Sequence, residues 1–344
     1  MTYKFIQSYL ASKQVKGLIL QVAFCVAPLA LVAVSLGAEA LAKQSEASSP
    51  AVEKEIMVGP ELPYAFFQKP STAGPHPAII VLGGAEGGDQ TARRKAKLFT
   101  EQGFAVLGLP YYLSDTSPLR VAFPKLPGTF DAIPVDQVET AKAWLQQRTD
   151  IRHDDIGIYG VSKGAEMALL SGSLIDGFAA IAAIVPSDVV WEGWGTGTTP
   201  GTVSSFSWRG QPLPFVPYKG MQEEFAAAAE QGRLIRFRDF HDRGRHASPA
   251  AVTKARIAID RIDEPVLVAG GDADIVWNSG EMAQIIAERR ADAGLPTVSL
   301  VFLNAGHLLS GTGEDATFAS EEDLAAQKTI WPATVQFFRD HLMN

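Results

Sequence analysis

The chain has 344 residues, 47% of them hydrophobic and 20% charged, which is enough apolar material for a large single core. The formal net charge is −8 with no block of like charges, so the basic footprint of a nucleic-acid-binding protein is missing and no nucleic-acid partner is expected. No repeat at solenoid or propeller periods and no low-complexity tract is present, which excludes a repeat array.

In chain order, the first segment stands apart. Lys4, Lys13 and Lys16 precede an apolar run over 17–38, followed by small residues at Ala38–Glu39–Ala40 and Ala40–Leu41–Ala42. A positive region, an apolar region and an A-x-A site in that order predict a secretory signal peptide over residues 1–42. The run is also long enough to cross a bilayer, so an uncleaved membrane anchor is the alternative. Either way, lysines ahead of the span place the body outside the cytoplasm, periplasmic or secreted. Membrane contact is expected only if the segment is retained. The single cysteine, Cys25, lies inside it, and Phe24 before it is too large for a lipoprotein cleavage box. A cleaved product has no disulfide and no cysteine nucleophile, which suits an oxidising compartment.

Residues 43–51 read as a Ser/Ala/Gln-rich linker. From 52 onward short β-rich runs alternate with longer helical ones, the pattern of a mostly parallel sheet with helices on both faces. Strands are expected at 52–58 and 64–68, where apolar and polar residues alternate, and at 78–82 (AIIVL). A helix over 90–102 and a strand over 104–109 follow. The next elements are a helix at 137–147, a strand at 156–159, a helix at 165–174 and a strand at 179–185. Residues 186–261 break the rhythm with glycines, prolines and Trp191, Trp194 and Trp208, and read as an excursion over the sheet's C-terminal edge. Then come a strand at 265–269, a helix at 280–293, a strand at 298–303 and a helix at 321–341. The simplest parse is one α/β domain over 52–344 with an inserted cap.

Gly160–Val161–Ser162–Lys163–Gly164 matches G-x-S-x-G and sits between a strand and a helix, where a nucleophile elbow must be. The turn is too tight for side chains at the flanking positions, and glycine relieves this. Ser162 is then presented near the positive end of the following helix. A serine hydroxyl needs a base to take its proton, and the base needs an acid to fix its tautomer. In the α/β-hydrolase arrangement these partners follow in the order Ser, Asp/Glu, His, each just after a strand. The strand at 265–269 runs into Gly270–Gly271–Asp272–Ala273–Asp274, and the strand at 298–303 runs into Asn304–Ala305–Gly306–His307. His307 alone of the six histidines directly follows the final strand. His241 and His246, in the excursion, are expected to be solvated or structural, though one could touch substrate. Asp274 has better reach to His307, whereas Asp272, nearer the strand end, suits a turn cap. The oxyanion hole is expected to use the backbone N–H of Lys163 and one from the loop Gly83–Gly84–Ala85–Glu86–Gly87–Gly88, either Ala85 or Gly84. Glu86 reads as a solvated loop carboxylate. No cluster of histidines and carboxylates has metal-ligand spacing, so neither metal nor cofactor is expected.

Beyond the elbow, the residues Ile158–Tyr159–Gly160–Val161–Ser162–Lys163–Gly164–Ala165–Glu166 are joined by Gly103–Phe104–Ala105–Val106–Leu107–Gly108–Leu109–Pro110–Tyr111–Tyr112. Asp274 followed by Trp277–Asn278–Ser279, and Gly306–His307, complete the set. Together, across 77–341, they resemble the acyl-CoA thioesterase/bile-acid-CoA:amino-acid N-acyltransferase family. The lysine after the serine and the glutamate one turn later set this elbow apart from lipase elbows. The resemblance implies Asp274 as the acid, three residues before the tryptophan. It also implies serine-based acyl transfer, and water as final acceptor, because the amino-acid-transferring branch carries cysteine at the elbow. Animal members carry an immunoglobulin-like β-domain ahead of the hydrolase, which the short stretch between linker and core leaves out. Acyl-CoA is cytosolic while this chain reads as exported.

The expectation is a serine hydrolase acting on a small-molecule acyl thioester. Tyr111, Tyr112, Trp191 and Trp277 are candidates to line the substrate pocket, with packing inside the cap the other role for the tryptophans. The rival within hydrolases is an exported carboxylesterase or dienelactone-hydrolase-like enzyme on small esters. A non-catalytic binding protein of this fold would carry a broken triad.

Overall fold

The structure, a computed structural model, describes residues 53, 55–315 and 317–343. The expected signal or anchor segment 1–42, with Cys25, and the linker 43–51 lie outside them. No helix among the described residues is long and apolar enough to cross a membrane.

The strands are β1 (Ile56–Met57), β2 (Phe66–Gln68), β3 (His76–Leu82), β4 (Ala105–Gly108), β5 (Ile133–Pro134), β6 (Ile151–Val161), β7 (Ala180–Ile184), β8 (Phe206–Trp208), β9 (Gln211–Pro212), β10 (Val266–Gly271) and β11 (Thr297–Phe302). Eight of them form one sheet in the order β1-β2-β4-β3-β6-β7-β10-β11. β1 and β2 are antiparallel additions, and from β4 to β11 every pairing is parallel. This is the α/β-hydrolase architecture.

Parallel strands covered on both faces read as continuous apolar runs, and β3 is buried along its whole length. Its side chains alternate between two cores. Ala78, Ile80 and Leu82 face one cluster, shared with α2 (Asp136–Gln146), α3 (Lys163–Leu174) and α7 (Ser279–Asp292). Ile79 and Val81 face the other, shared with α1 (Gln90–Thr100) and α8 (Glu321–Leu342). α8 starts on a capping box in which Ser320 Oγ accepts from the Asp323 N–H and Asp323 Oδ2 accepts from the Ser320 N–H.

Of the strand expected over 52–58, residues 52 and 54 lie outside the described residues, and the exposed pair Ile56–Met57 forms the antiparallel edge strand on β2. The strand expected at 156–159 extends to Ile151–Val161, because β3 pairs along it from His76↔Ile151 to Leu82↔Gly160.

Between β7 and β10 the chain is more regular than its glycines and prolines suggest. It carries β8, β9 and three helices, α4 (Met221–Gln231), α5 (Phe237–Ala247) and α6 (Pro249–Ala255). α5 is rich in charge, yet Phe240, His241 and Gly244 fall on one buried face. β8 pairs with β5, just ahead of α2, in a small second sheet. A third core of Val189, Trp191, Val216, Ala255, Trp277 and Met282 joins the excursion to the start of α7.

Candidate active site

Ser162, between β6 and α3, has φ 55° and ψ −120°, a conformation that L-residues rarely adopt. The two glycines make this turn feasible. A Cβ on Gly160 would collide with the Gly164 carbonyl, and one on Gly164 would collide with the carbonyls of Gly83 and Leu82. The Ser162 N–H donates to Ile184 O at 2.9 Å, which ties the elbow to the end of β7.

The ends of β6, β10 and β11 bring three side chains together. His307 Nδ1–H donates to Asp274 Oδ2 at 2.7 Å, and Nε2 lies 2.9 Å from Ser162 Oγ. An ionised carboxylate only accepts, so Nδ1 carries the proton and Nε2 is left to accept from the serine hydroxyl. Asp274 is fully buried. Its other oxygen, Oδ1, accepts from the N–H groups of Val276 at 2.8 Å and Trp277 at 3.3 Å, which holds the carboxylate in one orientation. The Trp277 indole packs edge-on against the His307 ring, with centroids 5.2 Å apart. Asp272 has a different partner: its Oδ1 accepts from Asn304 N–H at 2.6 Å and so braces the turn that delivers His307.

The loop after β3 is braced from two directions. Tyr111 Oη–H donates to Gly83 O at 2.7 Å, and Gly88 N–H donates to Tyr112 O at 2.8 Å. Glu86 is exposed, but its Oε1 accepts from Gly84 N–H at 3.1 Å and from Thr91 Oγ1 at 2.6 Å, so it is a loop brace. That contact occupies the Gly84 N–H, which removes Gly84 as an oxyanion donor and leaves Ala85 as this loop's candidate beside Lys163.

The pocket expectations are revised. Tyr111 and Tyr112 are buried and support the loop, and Tyr112 stacks toward Phe130 with centroids 4.0 Å apart. Burial raises the Tyr111 hydroxyl well above the ordinary tyrosine range, so it donates as a neutral phenol. Trp191 has no exposed surface and packs on Tyr218 and His241 inside the excursion, so it does not wall an open pocket. The Trp277 indole is also buried and meets the triad at the His307 ring, in addition to the backbone N–H that it gives to Asp274.

Of the two roles expected for His241, solvated or structural, the structure has the second: it is buried among Trp191, Tyr218, Phe240 and Trp277. Its Nδ1–H donates to Phe237 O at 2.8 Å. Burial pushes its pKa down to about 3, so it is a neutral neighbour of the triad. Its position at i+4 from Phe237 on an apolar helix face was the available signal. Arg238 donates to the carbonyls of Asp272 at 2.7 Å and Asp274 at 3.1 Å, which fastens α5 to the acid turn. The Lys163 ammonium turns away from solvent to Glu166, and both side chains are fully buried.

The fold has solved counterparts. An alpha/beta hydrolase enzyme from a Medee basin deep-sea metagenome library matches with a TM-score of 0.52 and 13% identity, covering 86% of this chain and 99% of that one. The class is set at finer grain by the family described as BAAT / Acyl-CoA thioester hydrolase C terminal, which matches residues 133–311 and so contains both Ser162 and His307. This is more than half of the chain, and the protein belongs to that family. Among its curated relatives, Acyl-coenzyme A thioesterase 5 of Mus musculus is 28% identical over 239 residues, covering 69% of this chain and 50% of the relative. Acyl-coenzyme A thioesterase 1 of Rattus norvegicus is 25% identical over 289 residues, covering 79% and 62%. The chain thus spans about half to three-fifths of the length of these relatives.

Proposed function

We propose that the protein is a serine hydrolase that cleaves an acyl thioester through a covalent acyl-serine intermediate. His307, oriented by Asp274, takes the proton from Ser162 Oγ as the oxygen attacks the thioester carbonyl. The tetrahedral oxyanion is held by the N–H groups of Lys163 and Ala85. His307 then protonates the departing thiolate, and the C–S bond breaks. In the second half-reaction His307 activates water, which attacks the acyl-serine and releases the acid and free Ser162.

The observation that carries this reading is the continuous contact from Ser162 Oγ through His307 to Asp274, at 2.9 and 2.7 Å. Family membership and the thioesterase names of the relatives favour a thioester over an oxyester. Hydrolysis of a panel of acyl thioesters and short nitrophenyl esters, alongside Ser162→Ala, tests it. Thioester turnover in the parent that falls by about 10⁴-fold or more in the variant is expected. Oxyester turnover alone would move the assignment to a carboxylesterase, and undiminished turnover in the variant would remove Ser162 from the mechanism.

The same reading includes a site of action outside the cytoplasm, supported by the lysines and apolar run ahead of residue 42. N-terminal sequencing of the protein recovered outside the cytoplasm is expected to begin after Ala40 or Ala42. Recovery of the intact chain in the cytosolic fraction alone would overturn this.

A further inference from the structure

Lys163 stands directly after the nucleophile, and its side chain ends in a sealed polar cluster. Its Nζ donates to Glu166 Oε2 at 2.6 Å and to Ser205 Oγ at 3.0 Å. Ser205 Oγ in turn donates to Glu192 O at 2.9 Å, and Glu166 Oε1 accepts from Trp191 N–H at 3.1 Å. The rings of Phe206, Phe130 and Trp194 surround the ammonium at 4.8, 5.5 and 5.7 Å. Lys163, Glu166 and Ser205 have no exposed surface, and Ser204 beside them has almost none. One ion pair therefore joins the elbow helix to two stretches of the excursion, at 191–192 and 205.

Stability alone does not account for such a pair. Desolvating two charges is costly, and apolar residues of similar volume are often as stable or more so. A buried polar cluster with its hydrogen bonds satisfied does enforce one geometry over near alternatives. The geometry enforced here is that of Lys163, whose N–H lacks an intrahelical acceptor because it opens α3. The Glu166 N–H also donates to Ser162 O at 3.1 Å, so both partners of the ion pair grip the elbow.

We propose that Lys163 and Glu166, with Ser205, form a positioning pair that locks the excursion over Ser162 and holds the Lys163 N–H on the developing oxyanion. The side chains do not touch the reacting atoms and act through the backbone they hold. This rests on the acyl-serine mechanism above. A donor displaced by about 1 Å loses on the order of 10²-fold in rate, so a fall of that order in kcat is expected with KM changed less.

The test compares the parent, Lys163→Met/Glu166→Leu and Ser205→Ala, with active sites titrated by a fluorophosphonate. Turnover per titrated site is measured on whichever thioester or nitrophenyl ester the parent hydrolyses. Thermal midpoints are recorded alongside. The double variant is expected to melt within a few degrees of the parent yet lose about 10²-fold in kcat per titrated site. The milder Ser205→Ala, which removes one contact, is expected to lose about tenfold. If kcat per site in the double variant stays within twofold of the parent, the pair is structural only and the proposal is overturned. If the double variant does not fold, Ser205→Ala decides by the same criterion. Failure of the mechanism itself is distinguishable, because it would show as a parent that neither labels at Ser162 nor loses activity in Ser162→Ala.

Discussion

In the turn after β10, two aspartates of the same chemistry meet different partners. Asp274 Oδ2 accepts from His307, whereas Asp272 Oδ1 accepts from the Asn304 backbone. Asp274→Asn should keep the packing but present an amide where the imidazole N–H needs an acceptor. We expect kcat to fall by about 10⁴-fold with little change in thermal midpoint, by analogy with a triad aspartate turned to asparagine. Asp272→Ala removes a hydrogen bond at an exposed turn and should cost about 1 kcal/mol in denaturant unfolding while kcat stays within a few-fold. Equal kinetic losses in both would undo the division of labour. At this scale Ser162 and His307 were legible because elbow glycines and strand ends constrain them locally. Asp272 and Asp274 were separable only by reach and by resemblance. The burial of Lys163 against Glu166 was hidden, since a lysine and a glutamate three apart on a helix ordinarily form a solvated pair.

α5 shows what an element can conceal. Its sequence FRDFHDRGRHA reads as polar, yet its inner face is buried by Tyr218, Trp191 and Trp277. Burying neutral His241 has a pH consequence. Its pKa drops from an ordinary 6.5 to about 3 in the folded protein, so the unfolded chain takes up the proton first as pH falls. The contribution of His241 is fully present above about pH 6.5. It is then lost by about 1.4 kcal/mol per pH unit down toward pH 3. Urea unfolding at pH 7 and pH 5 should show this loss in the parent, and His241→Gln should flatten that part of the slope. An unchanged slope in the variant would mean that other groups carry the acid sensitivity. The main strands and helices were legible because β3 and its neighbours are apolar throughout and the helices between them have clear periodicity. The excursion's helices were not, because their faces are defined by what packs on them.

At the scale of the whole molecule, one buried guanidinium closes the domain beyond the excursion. Arg290 donates to the carbonyls of Ile259 at 2.8 Å, Ile262 at 2.6 Å, Glu264 at 2.8 Å and Pro296 at 3.0 Å, and to Thr297 Oγ1 at 2.8 Å. It thereby joins the end of the excursion, the approach to β10, α7 and the start of β11. Arg290→Met would strand several carbonyls, and we expect a loss of about 4 kcal/mol or more in unfolding free energy. Turnover per fluorophosphonate-titrated site should be unchanged, because the residue lies at the opposite ends of β10 and β11 from Asp274 and His307. A variant that melts like the parent would refute this role.

The sequence by itself determined the α/β-hydrolase class, the order of the sheet-forming runs, and Ser162 and His307 at the ends of β6 and β11. These follow from period, glycine placement and strand ends, all of which act over a few neighbouring residues, whereas Asp274 was separated from Asp272 by reach and resemblance. Only the tertiary structure decided that Gly84 gives its N–H to Glu86, that Trp191 is packed away from any open pocket, and that His241 is buried and neutral. The sealing of Lys163 with Glu166 and Ser205 was likewise decided there. Each depends on residues far apart in the chain excluding water from one another, and desolvation is a property of the assembled fold, not of a local stretch.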